Sequence, residues 1–180
     1  MTVTKLAALA ALVLSLSPAA ARADEQVLLF RTQEDPSVPA TCAPGDTVLL
    51  GALLSVPRTR ASDGLVTVDP GPTIGTAVGC GKLLTYMPFD PQVQSPFAMR
   101  FEFDGRIITA KGTCTITSLS FPIPGVPAPL LLVGCTLDVN PDPAQGILRG
   151  AATSSSVFTP HPMPGYGTGS FWTVHVYLAD

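Results

Sequence analysis

The chain has 180 residues with 10 basic and 13 acidic side chains; 46% of it is apolar and only 13% charged. That balance, with no basic cluster, argues against a nucleic-acid or anionic-membrane partner held by charge. A chain this apolar buries a large share of its surface or covers part of it by self-association.

Lys5 precedes an apolar run over residues 6–16, followed by Ser17-Pro18 and small residues. Ala21-Arg22-Ala23 has the small-x-small form of a signal peptidase site. Residues 1–23 therefore read as a signal peptide, and residues 24–180 as the mature chain. The run is too short for a membrane-spanning helix, and no cysteine follows it to carry a lipid anchor. The expected location is secreted or periplasmic. Cleavage removes Lys5 and Arg22 and no acid, leaving 157 residues with 8 basic and 13 acidic side chains. That length suits one domain with its own core.

After the leader, no helical periodicity with capping signals appears, and Pro and Gly interrupt the chain often. Alternating or apolar runs occur at residues 26–32, 47–56, 73–86, 97–104, 106–120, 130–137, 146–158 and 170–178. A shorter run at 65–68 extends a hairpin in the second joint. Asp35-Pro36, Asp90-Pro91, the segment 140–143 and the segment 161–165 read as loops.

The region 97–136 is the most explicit. Phe97, Met99, Phe101 and Phe103 share one face of a strand, and Ala98, Arg100 and Glu102 share the other. Asp104-Gly105 is the pair that a two-residue type I′ turn favours. That turn pairs Phe103 with Arg106, Phe101 with Ile108, Met99 with Ala110 and Phe97 with Gly112. The phenylalanine face then reads as core, and Arg100 and Glu102 as solvent-exposed partners.

The chain contains four cysteines, Cys42, Cys80, Cys114 and Cys135, at spacings of 38, 34 and 21 residues. These spacings match neither a metal knuckle nor a CxxC redox pair; in an exported chain they imply two disulfides. If the next hairpin turns symmetrically about Pro124-Gly125, Cys114 lies directly opposite Cys135, within disulfide reach. Cys42 then pairs with Cys80.

Eight antiparallel strands in one domain suggest a closed all-β barrel, which leaves no exposed edge. A β-sandwich is the alternative, and a membrane barrel a more distant one, since the aromatic girdles it needs are missing.

Some of the motifs resemble a known group. Gly75–Cys80, the aromatic strand 97–103, then Asp104-Gly105-Arg106-Ile107-Ile108 leading to Gly112, resemble the middle of allene oxide cyclase and dirigent barrels. Gly146-Ile147-Leu148-Arg149-Gly150-Ala151 is similar to the G-x-F-x-G-A segment of a late strand in those families. The resemblance covers residues 73–178, and none of the families' catalytic residues aligns. It implies an eight-stranded barrel with a hydrophobic central cavity, assembled as a trimer.

The chain carries little marked chemistry. His161 and His175 are the only histidines, and Gly167-Thr168-Gly169-Ser170 is not a nucleophile elbow. His161-Pro162-Met163 reads as a surface turn rather than a copper site. No metal and no cofactor is expected.

The last strand allows two arrangements. With Trp172, Val174, Val176 and Leu178 outward, Phe171, His175 and Tyr177 would line a cavity, with His175 and Tyr177 as proton donor, acceptor or ligand anchor. With the faces reversed, Trp172 enters the core and His175 is solvated. Arg106, on the Phe103 face beside the turn, is a fourth candidate, placed to reach water or guard a cavity mouth. Two functions of different class follow: an exported barrel that binds a small apolar or aromatic molecule in its interior, steering a cyclisation or coupling by holding one conformer; or a non-catalytic module with a filled core that oligomerises through its exterior.

Overall fold

The computed structural model describes residues 23–62, 65–81, 94–116, 131–158 and 169–179. The segment read as a signal peptide lies outside the described residues except for Ala23. Eight strands run in chain order: β1 (Asp24–Glu34), β2 (Thr47–Ser62), β3 (Leu65–Gly81), β4 (Gln94–Phe103), β5 (Arg106–Ile116), β6 (Leu131–Val139), β7 (Ile147–Phe158) and β8 (Gly169–Leu178). Each pairs antiparallel with the next, and β8 returns to β1 from Asp24↔Leu178 to Gln33↔Gly169. That last ladder closes a barrel and excludes the sandwich.

The run at 65–68 belongs to β3, which pairs with β2 as far as Ser62↔Leu65. Pro57 faces Pro70 within this long ladder, and the register shifts beside Pro57. Proline has no N–H to give, so the ladder accommodates it at an irregularity. The parts of the expected strands at 82–86 and 117–120 lie outside the described residues.

The β4–β5 hairpin follows its turn chemistry. Asp104 and Gly105 both have positive φ, 48° and 72°, and the register runs from Phe103↔Arg106 to Phe97↔Gly112 and beyond. Across the next hairpin Cys114 faces Cys135, and the two form a disulfide with Cα atoms 4.0 Å apart. Cys42 is bonded to Cys80. Gly112 and Gly75 serve close strand approach: a Cβ on Gly112 would run into the Thr136 carbonyl, and one on Gly75 into the Glu102 carbonyl.

The lower half of the barrel, nearest the Asp104-Gly105 turn, is filled. Phe30 stacks on Phe101 at 5.6 Å and meets Phe103 at 4.9 Å, and Phe101 meets Trp172 edge-on at 5.3 Å. Such ring pairs add about 0.5–1.5 kcal/mol each beyond simple burial. Leu54, Met99, Leu137, Val174 and Val176 complete this core. Charged residues instead occupy the outer face, including Glu25, Arg100, Lys111, Asp138 and Arg149. Arg100 and Glu102 pair there at 2.7 Å. An apolar interior with a charged exterior is the reverse of a membrane barrel. Among the described residues no helix is long and apolar enough to cross a membrane.

The two ends of the barrel differ. At the lower end the β6–β7 connection is short and hydrogen-bonded. Asp142 caps the helical turn Pro143–Gln145, accepting from the Ala144 N–H at 3.0 Å. Gln145 bonds both the N–H and the carbonyl of Ile107 at 2.8 Å. At the upper end the joints are long, and those after β3, β5 and β7 lie outside the described residues. The joint after β1 forms a strap on the outer face. The Asp35 N–H donates to the Gly51 carbonyl, Val38 is buried, and Cys42 is bonded to Cys80 of β3.

Candidate functional site

The closing ladder decides which face of β8 is internal. Trp172 lies opposite Phe30, and Trp172, Val174 and Val176 are buried at 2%, 0% and 2% exposure. Phe171, His175 and Tyr177 therefore point outward, so the arrangement in which they line the interior is not the one observed. Burial of the larger apolar set outweighs that of the face carrying an imidazole and a phenol. On the exterior, Glu25 reaches His175 Nδ1 at 3.3 Å and accepts from the Tyr177 hydroxyl at 3.5 Å. The Arg149 guanidinium lies 4.6 Å above the Tyr177 ring.

Arg106 is exposed at the lower, filled end, where its Nη1 donates to Gln26 Oε1 at 3.5 Å. It stands over packed core rather than over an opening. His161 lies outside the described residues. Among the described residues no three His, Cys, Asp or Glu side chains gather as a metal site.

The upper half of the interior has a different chemistry, built from residues that no single motif marks. One row of directly paired inward residues runs Phe30, Trp172, Ser154, Cys135, Cys114, Ser95 around five neighbouring ladders. The row above it runs Thr32, Ser170, Ser156, Val133. Hydroxyls thus replace the large apolar groups found below. Ser156 donates to Ser170 Oγ at 2.7 Å, Ser154 lies 3.5 Å from Ser156, and Thr32 donates to the Ser170 carbonyl at 3.4 Å.

Two observations set this region apart from the packed lower half. Phe97, Val133, Ser154 and Ser156 face the barrel axis yet are only half-buried. Trp172 is buried, and its Nε1 has no hydrogen-bond partner. An indole N–H can only donate, and leaving it buried without an acceptor costs about 1–3 kcal/mol. The Phe97 and Trp172 rings lie 6.5 Å apart and within 13° of parallel. Together with the Cys114–Cys135 bridge they form an apolar floor beside a hydroxyl wall.

This arrangement can bind and orient. Among the described residues Ser170 has no histidine beside it, since His175 is on the outer face, and they hold no nucleophilic triad. A concavity of about 210 Å³ lies outside the barrel between the strap and β3–β5, lined by Pro39, Val78, Ala98, Arg100, Lys111 and Asn140 among others.

The sequence did carry a signal for the internal site. Ser154 and Ser156 alternate with Ala152 on one face of β7, a switch from apolar to hydroxyl within a strand. Its meaning appears only when Ser170, Thr32 and Ser95 arrive from other strands. Compared with known proteins, the chain matches no family model, no curated protein and no solved structure.

Proposed function

We propose that this protein is an exported carrier or conformational guide that takes a small molecule into the upper half of its barrel. The ligand has an aromatic or apolar body and at least one hydrogen-bond acceptor. The unpartnered Nε1 of buried Trp172 carries this reading, because a ligand oxygen there would restore a hydrogen bond the fold leaves unmade. The seryl hydroxyls supply further polar contacts, and the half-buried inward residues supply the entrance. Few, convergent polar groups on an apolar wall are the usual make-up of a small-molecule site. The leader segment and two disulfides support export. The resemblance to allene oxide cyclase and dirigent barrels, with the central cavity it implies, points the same way. Any catalysis here is by proximity, one conformer of the ligand being held for cyclisation or coupling.

Trp172 is the only tryptophan of the chain, so its fluorescence reports on this site alone. Coumarin, an aromatic lactone, and naphthalene, of similar size but with no acceptor, make a suitable pair of probes. Saturable change of Trp172 emission with coumarin, and a weaker response to naphthalene, is the expected result. No response to either, together with no lipophilic molecule in solvent extracts of the purified protein, would remove the binding reading. It would leave the filled-core interaction module, which the packed lower half favours.

A further inference from the structure

The outer face of the β1–β8 seam has a pattern that the interior site does not use. Reading outward along β1, Glu25, Val27, Leu29 and Arg31 succeed one another. Their partners on β8 are Tyr177, His175, Thr173 and Phe171. Val27, Leu29 and Phe171 are 52%, 54% and 44% exposed. Among the described residues the other large exposed apolar side chains, Val56, Leu132 and Leu148, stand singly on β2, β6 and β7. Scattered apolar residues on a surface need no explanation, but three in adjoining register positions do. The neighbouring outward residues on β7, Ala151 and Thr153, are small, so the face offers little steric hindrance to a second sheet.

We propose that this face docks a second copy of the same chain about a two-fold axis. The charge order along β1 is acid, apolar, apolar, base, and it reads as its own complement when reversed. An axis lying in the contact plane, across β1 at the level of Leu28, lays β1 antiparallel on the partner's β1. Glu25 then faces the partner's Arg31, and Val27 faces the partner's Leu29. On β8 the same operation sets Phe171 against the partner's Tyr177. This is an isologous contact, each pair occurring twice. The alternative axis, along the strands, would stack Glu25 on the partner's Glu25 and Arg31 on the partner's Arg31, and like charges oppose it. Arg31 supplies a further reason: it is half-buried, and its Nη1 has no hydrogen-bond partner in its own chain. A rotation of that side chain toward a partner carboxylate would satisfy it.

Charge reversal tests the arrangement. The mature protein is measured by sedimentation equilibrium across a concentration series, and a dimer is expected. Glu25→Arg alone and Arg31→Glu alone should each weaken the dimer by about tenfold or more, because each turns two attractive pairs into repulsive ones. The combined Glu25→Arg/Arg31→Glu chain should regain most of the affinity, since every pair is again of opposite sign. Loss of the Glu25 contacts to His175 and Tyr177 is common to the Glu25→Arg and the combined variants, so it cannot produce the recovery of the second over the first. Leu29→Asp, on an exposed position, should give monomers with unchanged circular dichroism. A wild-type monomer at every concentration, or a trimer indifferent to these changes, overturns the proposal. A dimer that Leu29→Asp breaks but the combined swap does not restore overturns the two-fold register.

Discussion

Cys114 and Cys135 face each other across β5 and β6 on the inner side of the barrel wall, with their Cα atoms 4.0 Å apart. The bridge lies in the same row of paired residues as Trp172 and Ser154, between the filled half of the interior and the hydroxyl-lined half. It therefore serves both stability and the floor of the site.

Replacing both cysteines by alanine should lower unfolding free energy by about 2–4 kcal/mol, read from urea melts. The same variant should weaken coumarin binding, because the floor loses its sulfur contacts. The Cys42→Ala/Cys80→Ala chain differs in kind. Its bridge pins the outer strap to β3, so the expected signature is faster proteolytic cutting within residues 35–46, with coumarin binding retained.

Trp172→Phe separates packing from hydrogen bonding. The smaller ring loses contacts with Phe97 and Phe101 but also removes a buried donor that has no acceptor. The net cost should stay below about 1.5 kcal/mol, against about 3–5 kcal/mol for Phe101→Ala, which opens a cavity in the filled half. With the indole gone, a displacement assay should show coumarin and naphthalene binding with equal affinity.

Gly112→Ala and Gly105→Ala should fail for different reasons. A Cβ at residue 112 meets the Thr136 carbonyl and comes within 2.8 Å of Leu137 Cα, both of them backbone, so neither can step aside cheaply. A loss of about 2–3 kcal/mol is expected. At residue 105 the space is open but φ is +72°, and the cost should be about 1 kcal/mol. Denaturant melts of the two variants measure the difference.

The Asp35 carboxyl is held below its ordinary range, first by the Ser37 hydroxyl at 2.6 Å and then by the Ser37 N–H at 2.8 Å. A depressed folded-state pKa means that the contribution is present above the unfolded value, about 3.9, and is lost as pH falls through the folded value. Ser37→Ala should move the Asp35 titration upward, toward that value, in a carboxyl-resolved NMR titration. An unmoved titration would show that the hydroxyl does not set it.

Much of the architecture was legible in the sequence because it depends on neighbours along the chain. Alternation in residues 97–103 marked a strand, Asp104-Gly105 demanded a turn with two positive φ values, and the register followed by counting. The same counting placed Cys114 against Cys135, although the joint at 121–129 lies outside the described residues. The number of strands came from the spacing of proline, glycine and asparagine turns. For β8 the local information ran out. Trp172 with two valines on one face and Phe171, His175 and Tyr177 on the other satisfy the same alternation, whichever face is inside. Only closure against β1, which sets Trp172 on Phe30, determined that His175 and Tyr177 are external. The hydroxyl-lined half of the interior was hidden for the same reason. Thr32, Ser95, Ser154, Ser156 and Ser170 come from four strands, each unremarkable within its own segment. Strand identity and hairpin register are properties of short chain segments and could be read there; which residues share an enclosed space is a property of the closed sheet, and exists only once the last strand meets the first.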